Sequence, residues 1–398
     1  MEQEQLQGLI TEAEKQGGGL VLNIGDTPQA VVLSVAAYTQ LLAGRSGMVP
    51  GLQAVDEANV VAPELQRTVL VVGGAGYLGS FVCRELLRRG SRVIILDNLS
   101  TGSREQVPVG ATFVQGDVAD KNVLRDIFAE YQVTTVVHTA LPQVEAEGVE
   151  VLHSAALGMY SLVMAMHEAG VFDLVCVSDI CVYGTEQLRA VTPATGVLPV
   201  GAYAEGVMLA ELVVQYASKF LNLRSRILRF AAIAGADLGQ GLSGSCHRHG
   251  FIPKLLRVAR GVSTSIVIDG SDWQTNDGTY VRDYIAVTDA ATACVLAAHK
   301  PFESGYELYT LGSGKGVTVR EVIQAVAETT RRMIPMELGP RMPTDAERLL
   351  ADPQLFCEAF DFALIPKTIH ELVASEWETK AEQEKASLAS TASEAIEA

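Results

Sequence analysis

No stretch of the 398 residues strings together the roughly 18 apolar side chains that a membrane-spanning helix needs. The first residues, MEQEQLQGLITEAEKQ, carry neither the basic start nor the apolar core of a secretory signal. The expectation is a cytoplasmic chain without a membrane partner. Positive charge is also short: 30 Lys and Arg stand against 47 Asp and Glu, a net charge of −17. That sign repels phosphate backbones, so a nucleic-acid partner would need a local basic patch that the totals do not suggest. The shortfall is uneven, with about −5 on residues 1–67 and −4 on residues 376–398. The six cysteines (83, 176, 181, 246, 294 and 357) are scattered, four of them in apolar stretches. Reduced core thiols fit that scatter better than a disulfide framework. No metal site is expected: the run Cys246-His247-Arg248-His249 has no second ligand pair and reads as a loop.

What is present is a composition of 48% hydrophobic and 19% charged residues, which buries a large core and excludes a disordered or fibrous protein. Residues 1–45 read as a small α+β module: a helical stretch with Leu6, Leu9, Ile10 and Ala13 inward, a strand over 20–24, a Gly-Asp turn and a second strand over 30–35. Residues 46–67 read as a linker, and residues 376–398, rich in Ala, Glu and Ser without an apolar face, as a disordered tail. Between them short apolar runs over 68–72, 92–96, 112–114 and 134–138 alternate with helical patterns. Helices between consecutive buried strands predict an α/β fold with a doubly wound parallel sheet, the Rossmann arrangement.

The strongest chemical feature follows the first of these strands. Gly73, Gly76 and Gly79 in GGAGYLGS stand between strand and helix. They permit a tight turn and close backbone approach, while the helix N-terminus offers free N–H groups to a pyrophosphate. The next strand ends in Asp97, 18 residues beyond Gly79, where a carboxylate accepts ribose hydroxyls and repels a 2′-phosphate. NAD is therefore favoured over NADP. Asp117, after the third strand, is either an acid on the adenine side or a helix-opening acid.

The chain resembles the UDP-glucose 4-epimerase family, within the extended short-chain dehydrogenase/reductases, over about residues 68–375. The motifs are residues 73–80, Asp97-Asn98-Leu99, Gly116-Asp117, Val182-Tyr183-Gly184, the block from Asp277 to Ile285 followed by Asp289-Ala290-Ala291, and Tyr309-Thr310-Leu311-Gly312-Ser313-Gly314. The resemblance implies an NAD-binding domain over 68–235, a mainly substrate-binding subdomain over 236–375, and a UDP-sugar in the cleft between them. It implies cofactor contacts from Gly73, Gly76, Tyr77, Leu78, Gly79, Asp97, Asn98 and Asp117, and retained substrate-side residues Arg282 and Asp345.

The catalytic residues depart from that family. Its members use a Tyr-x-x-x-Lys pair and a strand-end Ser or Thr; the tyrosine takes the sugar hydroxyl proton while hydride passes to the nicotinamide. Here Tyr203 holds the tyrosine position, but four residues on stands Val207, and Asp179 holds the Ser or Thr position. Ser178, one residue earlier, points to the opposite side of a regular strand. A tyrosine at its reference pKa near 10 is about one part in a thousand ionised at pH 7, a handicap near 4 kcal/mol, and an adjacent carboxylate deepens it. Asp179 reads equally as a base or as a turn cap. Polar positions of the substrate side are also emptied, at Ser154-Ala155, Ala232, Gly250 and Met342 beside Arg341. Tyr183, Tyr280 and Tyr284 read as packing or backbone-bonding tyrosines.

Residues 3–45, with an apolar strand followed by Ser34-x-x-x-Tyr38-x-x-Leu41-Leu42, resemble the prevent-host-death antitoxin family, which implies pairing and DNA binding. Lys15 and Arg45 are the only cations there, so self-association is preferred to DNA. Packing onto the large domain remains open. The expectation is an NAD-binding, catalytically impaired member that forms a homodimer and serves as a binding, scaffold or regulatory protein. The alternatives are an active epimerase or dehydratase using Tyr203 with Asp179 or Ser178, and a DNA-associated regulator.

Overall fold

A computed structural model describes residues 19–24, 27–33, 67–142, 148–237, 250–303 and 305–379. The chain divides into two units, residues 1–65 and 66–398. In the first, β1 (Gly19–Ile24) and β2 (Thr27–Leu33) form an antiparallel hairpin with Gly19 opposite Leu33. Both strands were legible as apolar runs around the Gly-Asp turn. The helical stretch expected before the hairpin, residues 46–66 of the expected linker and the Cys246-to-His249 run lie outside the described residues.

In the second unit strand and helix alternate as expected: β3 (Thr68–Val72), α1 (Tyr77–Arg88), β4 (Arg92–Asp97), β5 (Thr112–Gln115), α2 (Lys121–Tyr131), β6 (Thr135–His138), α3 (Val149–Glu168), β7 (Asp173–Asp179), α4 (Ala202–Phe220) and β8 (Arg224–Phe230). There follow β9 (Ala232–Ala234), α5 (Phe251–Ala259), β10 (Ile266–Asp269), β11 (Val281–Ala286), α6 (Val287–His299), β12 (Tyr306–Leu311), β13 (Gly316–Thr318), α7 (Val319–Thr330), β14 (Met336–Gly339), β15 (Arg348–Leu349), α8 (Gln354–Phe360) and α9 (369–379).

Seven strands make one parallel sheet in the order β12-β8-β7-β6-β3-β4-β5. Side chains of β3 alternate between two cores. Val69 and Val71 pack with Phe81 and Leu86 of α1 and with the alanine-rich α6. Leu70 and Val72 pack with α2, α3 and α4 through Leu124, Leu162 and Val214. Burial on both faces is the reason these strands are apolar throughout. The winding reverses at β3, which has β4 on one side and β6 on the other, and a crevice opens at the carboxyl ends of the strands there.

The chain returns to this sheet after building a smaller one. Strand β12 and helix α6 both come from beyond residue 236, and Arg226 on β8 clamps them. Its fully buried guanidinium bonds Glu307 at 2.5 Å and the carbonyls of Ala297, Lys300 and Pro301. The smaller part joins β11 to β9, β13 and β15, pairs β10 with β14, and packs α5, α7 and α9 around Leu255, Val322 and Val373.

Two helices differ from a plain reading of the sequence. Helix α3 has the length and mean hydropathy (1.4) of a membrane span, yet it lies beside α2 and α4 with Met159, Leu162 and Met166 in the core. Residues 376–379, expected in the tail, are instead the last turn of α9. The reason is Glu376: it is 4% exposed and accepts the N–H of Gly235 at 2.8 Å, while Trp377 stacks against Arg260.

Burial pushes the Glu376 carboxyl up to about 7. Its stabilising neutral form is fully present below the unfolded value and is lost as pH rises through 7. Glu376→Gln should therefore gain about 2–3 kcal/mol relative to the parent between pH 5 and pH 8. Urea unfolding of both proteins at the two pH values measures this, and parallel curves would refute it.

Candidate functional site

The crevice at β3 opens into a cleft of about 960 Å³ that also reaches the smaller sheet. Its floor is the turn after β3. Gly73 sits at φ +80°, a backbone state that suits glycine, and its N–H donates to the carbonyl of Leu96 at 2.8 Å. A Cβ on Gly79 would lie 2.0 Å from the carbonyl oxygen of Gly73, so the turn folds onto the helix only if that position is bare. Helix α1 starts at Gly76 without a side-chain cap, which leaves its first N–H groups facing the cleft for an anion. Gly73, Gly76, Tyr77, Leu78 and Gly79 all line the wall.

Asp97 closes β4. One carboxylate oxygen accepts the N–H of Ala75 at 2.9 Å and the other that of Leu99 at 2.8 Å, tying the strand end to the glycine turn. Asn98 donates to Asp117 at 2.8 Å, and both line the same end of the cleft. Asp117 also accepts the N–H of Ala119, as a turn acid does. The expected cofactor residues therefore converge on one wall, and a bare, bent glycine cradle fits a dinucleotide pyrophosphate.

At the other end stand Tyr203, Asp179 and Val207. Tyr203, in the first turn of α4, donates its hydroxyl to Asp179 at 3.1 Å. The second Asp179 oxygen accepts the N–H of Cys181 at 2.7 Å, so the residue is both a cap of the short turn over 180–183 and a partner of the tyrosine. Both are half-buried on the cleft wall. Desolvation pushes Tyr203 well above its usual value, and the negative Asp179 adds to the rise. Desolvation also raises Asp179, against the pull of its two hydrogen bonds and of Arg282. Val207, one turn along α4, is 1% exposed and packs with Ile180, Val182 and Tyr183.

Ser178 is committed elsewhere. Its hydroxyl donates to Glu211, whose carboxylate takes two bonds from Arg229, at 2.8 and 2.6 Å. All three side chains are buried. Tyr183 bonds the carbonyl of Thr192 at 2.8 Å, a backbone-bonding role as expected.

On the substrate side Arg282 lines the cleft, stacked on Tyr280 at 4.1 Å, bonded to the carbonyl of Ala346 and paired with Asp345 at 3.0 Å. Asp345 stands behind the arginine and does not itself line the wall. Ser154, Ala155, Ala232 and Gly250 do line it. Arg341 instead stacks on Trp273 at 4.2 Å and pairs with Asp272. Two further wall residues escaped the sequence reading. His138 ends β6, 5% exposed, with Nδ1 unpartnered; burial lowers it to about 4. Glu150 opens α3 against the same cavity. A histidine closing an apolar strand at the carboxyl edge was the available signal for the first.

Gly79→Ala forces the turn off the helix and should cost at least about 1–3 kcal/mol, read as a lowered thermal midpoint; an unchanged midpoint would contradict the close packing described.

Comparison with known proteins places this geometry. A model of the NAD dependent epimerase/dehydratase family matches residues 69–312. The chain is 32% identical over 318 residues to the UDP-glucose 4-epimerase of Lactobacillus helveticus, covering 78% of this chain and 96% of that protein. To the UDP-glucose 4-epimerase of Corynebacterium glutamicum it is 36% identical over 291 residues, covering 72% and 87%. Among solved structures it is similar to the UDP-glucose 4-epimerase from Bifidobacterium longum in complex with NAD+ and UDP, at 28% identity and a TM-score of 0.71, covering 79% of this chain and 98% of that one. From the glycine turn through β12, the chain belongs to the NAD dependent epimerase/dehydratase family.

Proposed function

We propose that the protein binds NAD in the wall from Gly73 to Asp117, and that it is a catalytically impaired member of the UDP-glucose 4-epimerase group acting as a binding or regulatory protein. The observation that carries the impairment is the bond from Tyr203 to Asp179 with Val207 beside it. A base for a sugar hydroxyl needs a phenolate, and here a carboxylate, poor hydration and the lack of a neighbouring cation all favour the neutral phenol. The turn through Gly73, Gly76 and Gly79 would let the pyrophosphate approach the first N–H groups of α1, which begins at Tyr77. Asp97 would face the adenosine ribose, with Asn98 and Asp117 toward the adenine. When bound, NAD supplies hydride acceptance and return, and the chain supplies its orientation. Arg282, the one cation among the described wall residues, supports a nucleoside diphosphate of the UDP-sugar class in the rest of the cleft.

A second reading, a working isomerase with Asp179 as base, draws on the upward shift of that carboxyl. Ser178 supports it less, since its hydroxyl is held by Glu211. One assay separates the two. Turnover of UDP-glucose or UDP-galactose should fall at least a hundredfold below the range of about 1–1,000 s⁻¹ usual for enzymes. A rate within about tenfold of that range would overturn the impaired reading. Val207→Lys with Asp179→Ser should raise turnover by at least tenfold, the low end of what a tuned acid-base group contributes; no gain would move the deficit to the substrate contacts around Ala155 and Ala232.

Self-association belongs to the same reading. Leu157 and Tyr160 on α3, with Leu212, Tyr216 and Phe220 on α4, are exposed apolar side chains on adjacent helices, the kind of face that a second copy covers. Light scattering after size exclusion should give about twice the 42.5 kDa chain mass, and Tyr216→Glu with Phe220→Glu should halve it.

A further inference from the structure

The charged groups on the cleft wall are nearly all of one sign. Among the described residues that line it, Asp97, Asp117, Glu150, Asp179 and Glu211 are acids and Arg282 is the single base. Glu211 is neutralised by Arg229, and Arg282 is engaged with Asp345. Asp179 forms no ion pair among the described residues; its partners are the N–H of Cys181 and the hydroxyl of Tyr203.

The fold sets which end of a dinucleotide meets that carboxylate. A dinucleotide lies across the point where strand order reverses, which here is β3. The adenosine side falls toward β4 and Asp97, so the nicotinamide side falls toward the ends of β6 and β7. Those strands end in His138 and Asp179. His138, lowered to about 4, adds no positive charge at neutral pH, and Val207 fills the remaining flank with hydrocarbon. The nicotinamide ring is a cation when oxidised and neutral when reduced. A carboxylate held beside it, half-buried on the wall and with Arg282 already engaged by Asp345, favours the cation.

We infer that the cleft discriminates between the two redox states of its cofactor, holding NAD+ in preference to NADH with Asp179 as the selecting group, so that the protein reads the oxidation state of the nicotinamide pool. The inference rests on the reading that this cleft binds NAD. It assigns Asp179 a purpose that neither capping nor sugar chemistry requires: the two hydrogen bonds it accepts hold the carboxylate in place, and a docked cation favours its ionised form as Arg282 does.

Titration calorimetry of the full chain, stripped of nucleotide, with NAD+ and with NADH tests this. NAD+ should bind at least about tenfold more tightly. Asp179→Asn keeps an acceptor for the Cys181 N–H while removing the charge, and should bring the two affinities within about threefold. Val207→Lys, which adds a cation on the same flank, should shift the ratio in the same direction and stands in should Asp179→Asn fail to fold. Equal affinities in the parent, a preference for NADH, or a ratio that neither variant changes would overturn the inference. Failure to bind either dinucleotide is a distinguishable result and would overturn the cofactor reading together with it.

Discussion

A carboxylate and a guanidinium buried together between α4 and β8 fix where the rest of the cleft stands. Glu211 and Arg229 are 1% and 2% exposed, and two parallel bonds join them. Breaking such a pair leaves an uncompensated charge in the interior at a cost of about 3–5 kcal/mol, so helix and strand keep one register. Tyr203 and Val207 lie on the same face of α4, two turns and one turn before Glu211. Once the pair forms, their places over the end of β7 are set. The same carboxylate takes the hydroxyl of Ser178, and Arg229 covers the ring of Tyr183 at 4.7 Å. A single ion pair thus positions the tyrosine, occupies the serine beside it and leaves Asp179 to meet the cleft alone.

That division gives the two halves of the cleft different supports. The cofactor half is anchored in backbone. A helix start and the bare Gly79 form its cradle, with Asp97, Asn98 and Asp117 beside it, so losing it means losing the turn between β3 and α1. The chemical half is built from side chains at the ends of β7 and the start of α4, which the sheet does not need. A valine at position 207 joins an apolar cluster with Ile180 and Val182, and an aspartate at position 179 caps the turn that follows. Neither residue asks the fold to yield anything, so the nucleotide wall stands independently of what occupies positions 179 and 207.

Much of this was legible without coordinates, for a physical reason. Strands buried on both faces write themselves as unbroken apolar runs, and β3, β4 and β6 fall where those runs fall. The glycine turn and Asp97 were equally plain, since sterics and the strand end dictate them. What the sequence hid depends on pairing across long separations. The seventh strand, β12, joins β8 from beyond the smaller sheet, and nothing local in Tyr306–Leu311 announces that partner. Ser178 looks available until Glu211, 33 residues on, claims its hydroxyl. The last turn of α9 looks like part of a charged tail, because burial of Glu376 follows only from the bare N–H of Gly235, 141 residues away. Arg282 and Asp345 were both identified, but only geometry shows that one faces the cleft and the other braces it.

The charge balance also acquires a location. Part of the acid lies on residues 1–67 and in the stretch after 379, outside the described body. The part that bears on chemistry is inside, where five acids and one arginine line a cleft shaped for phosphorylated ligands. Those two facts pull against each other, since phosphates prefer cations. They are reconciled if the phosphates are held by the N–H groups at the start of α1 and by Arg282, while the acids face the uncharged or cationic parts of the ligand. Asp97 would take that role toward a ribose. Asp179 ends β7, two strands from β3 on the side away from Asp97, so under the proposed reading it would meet the other end of the same molecule, and the charge that adds to the rise of Tyr203 is one that an oxidised nicotinamide would neutralise.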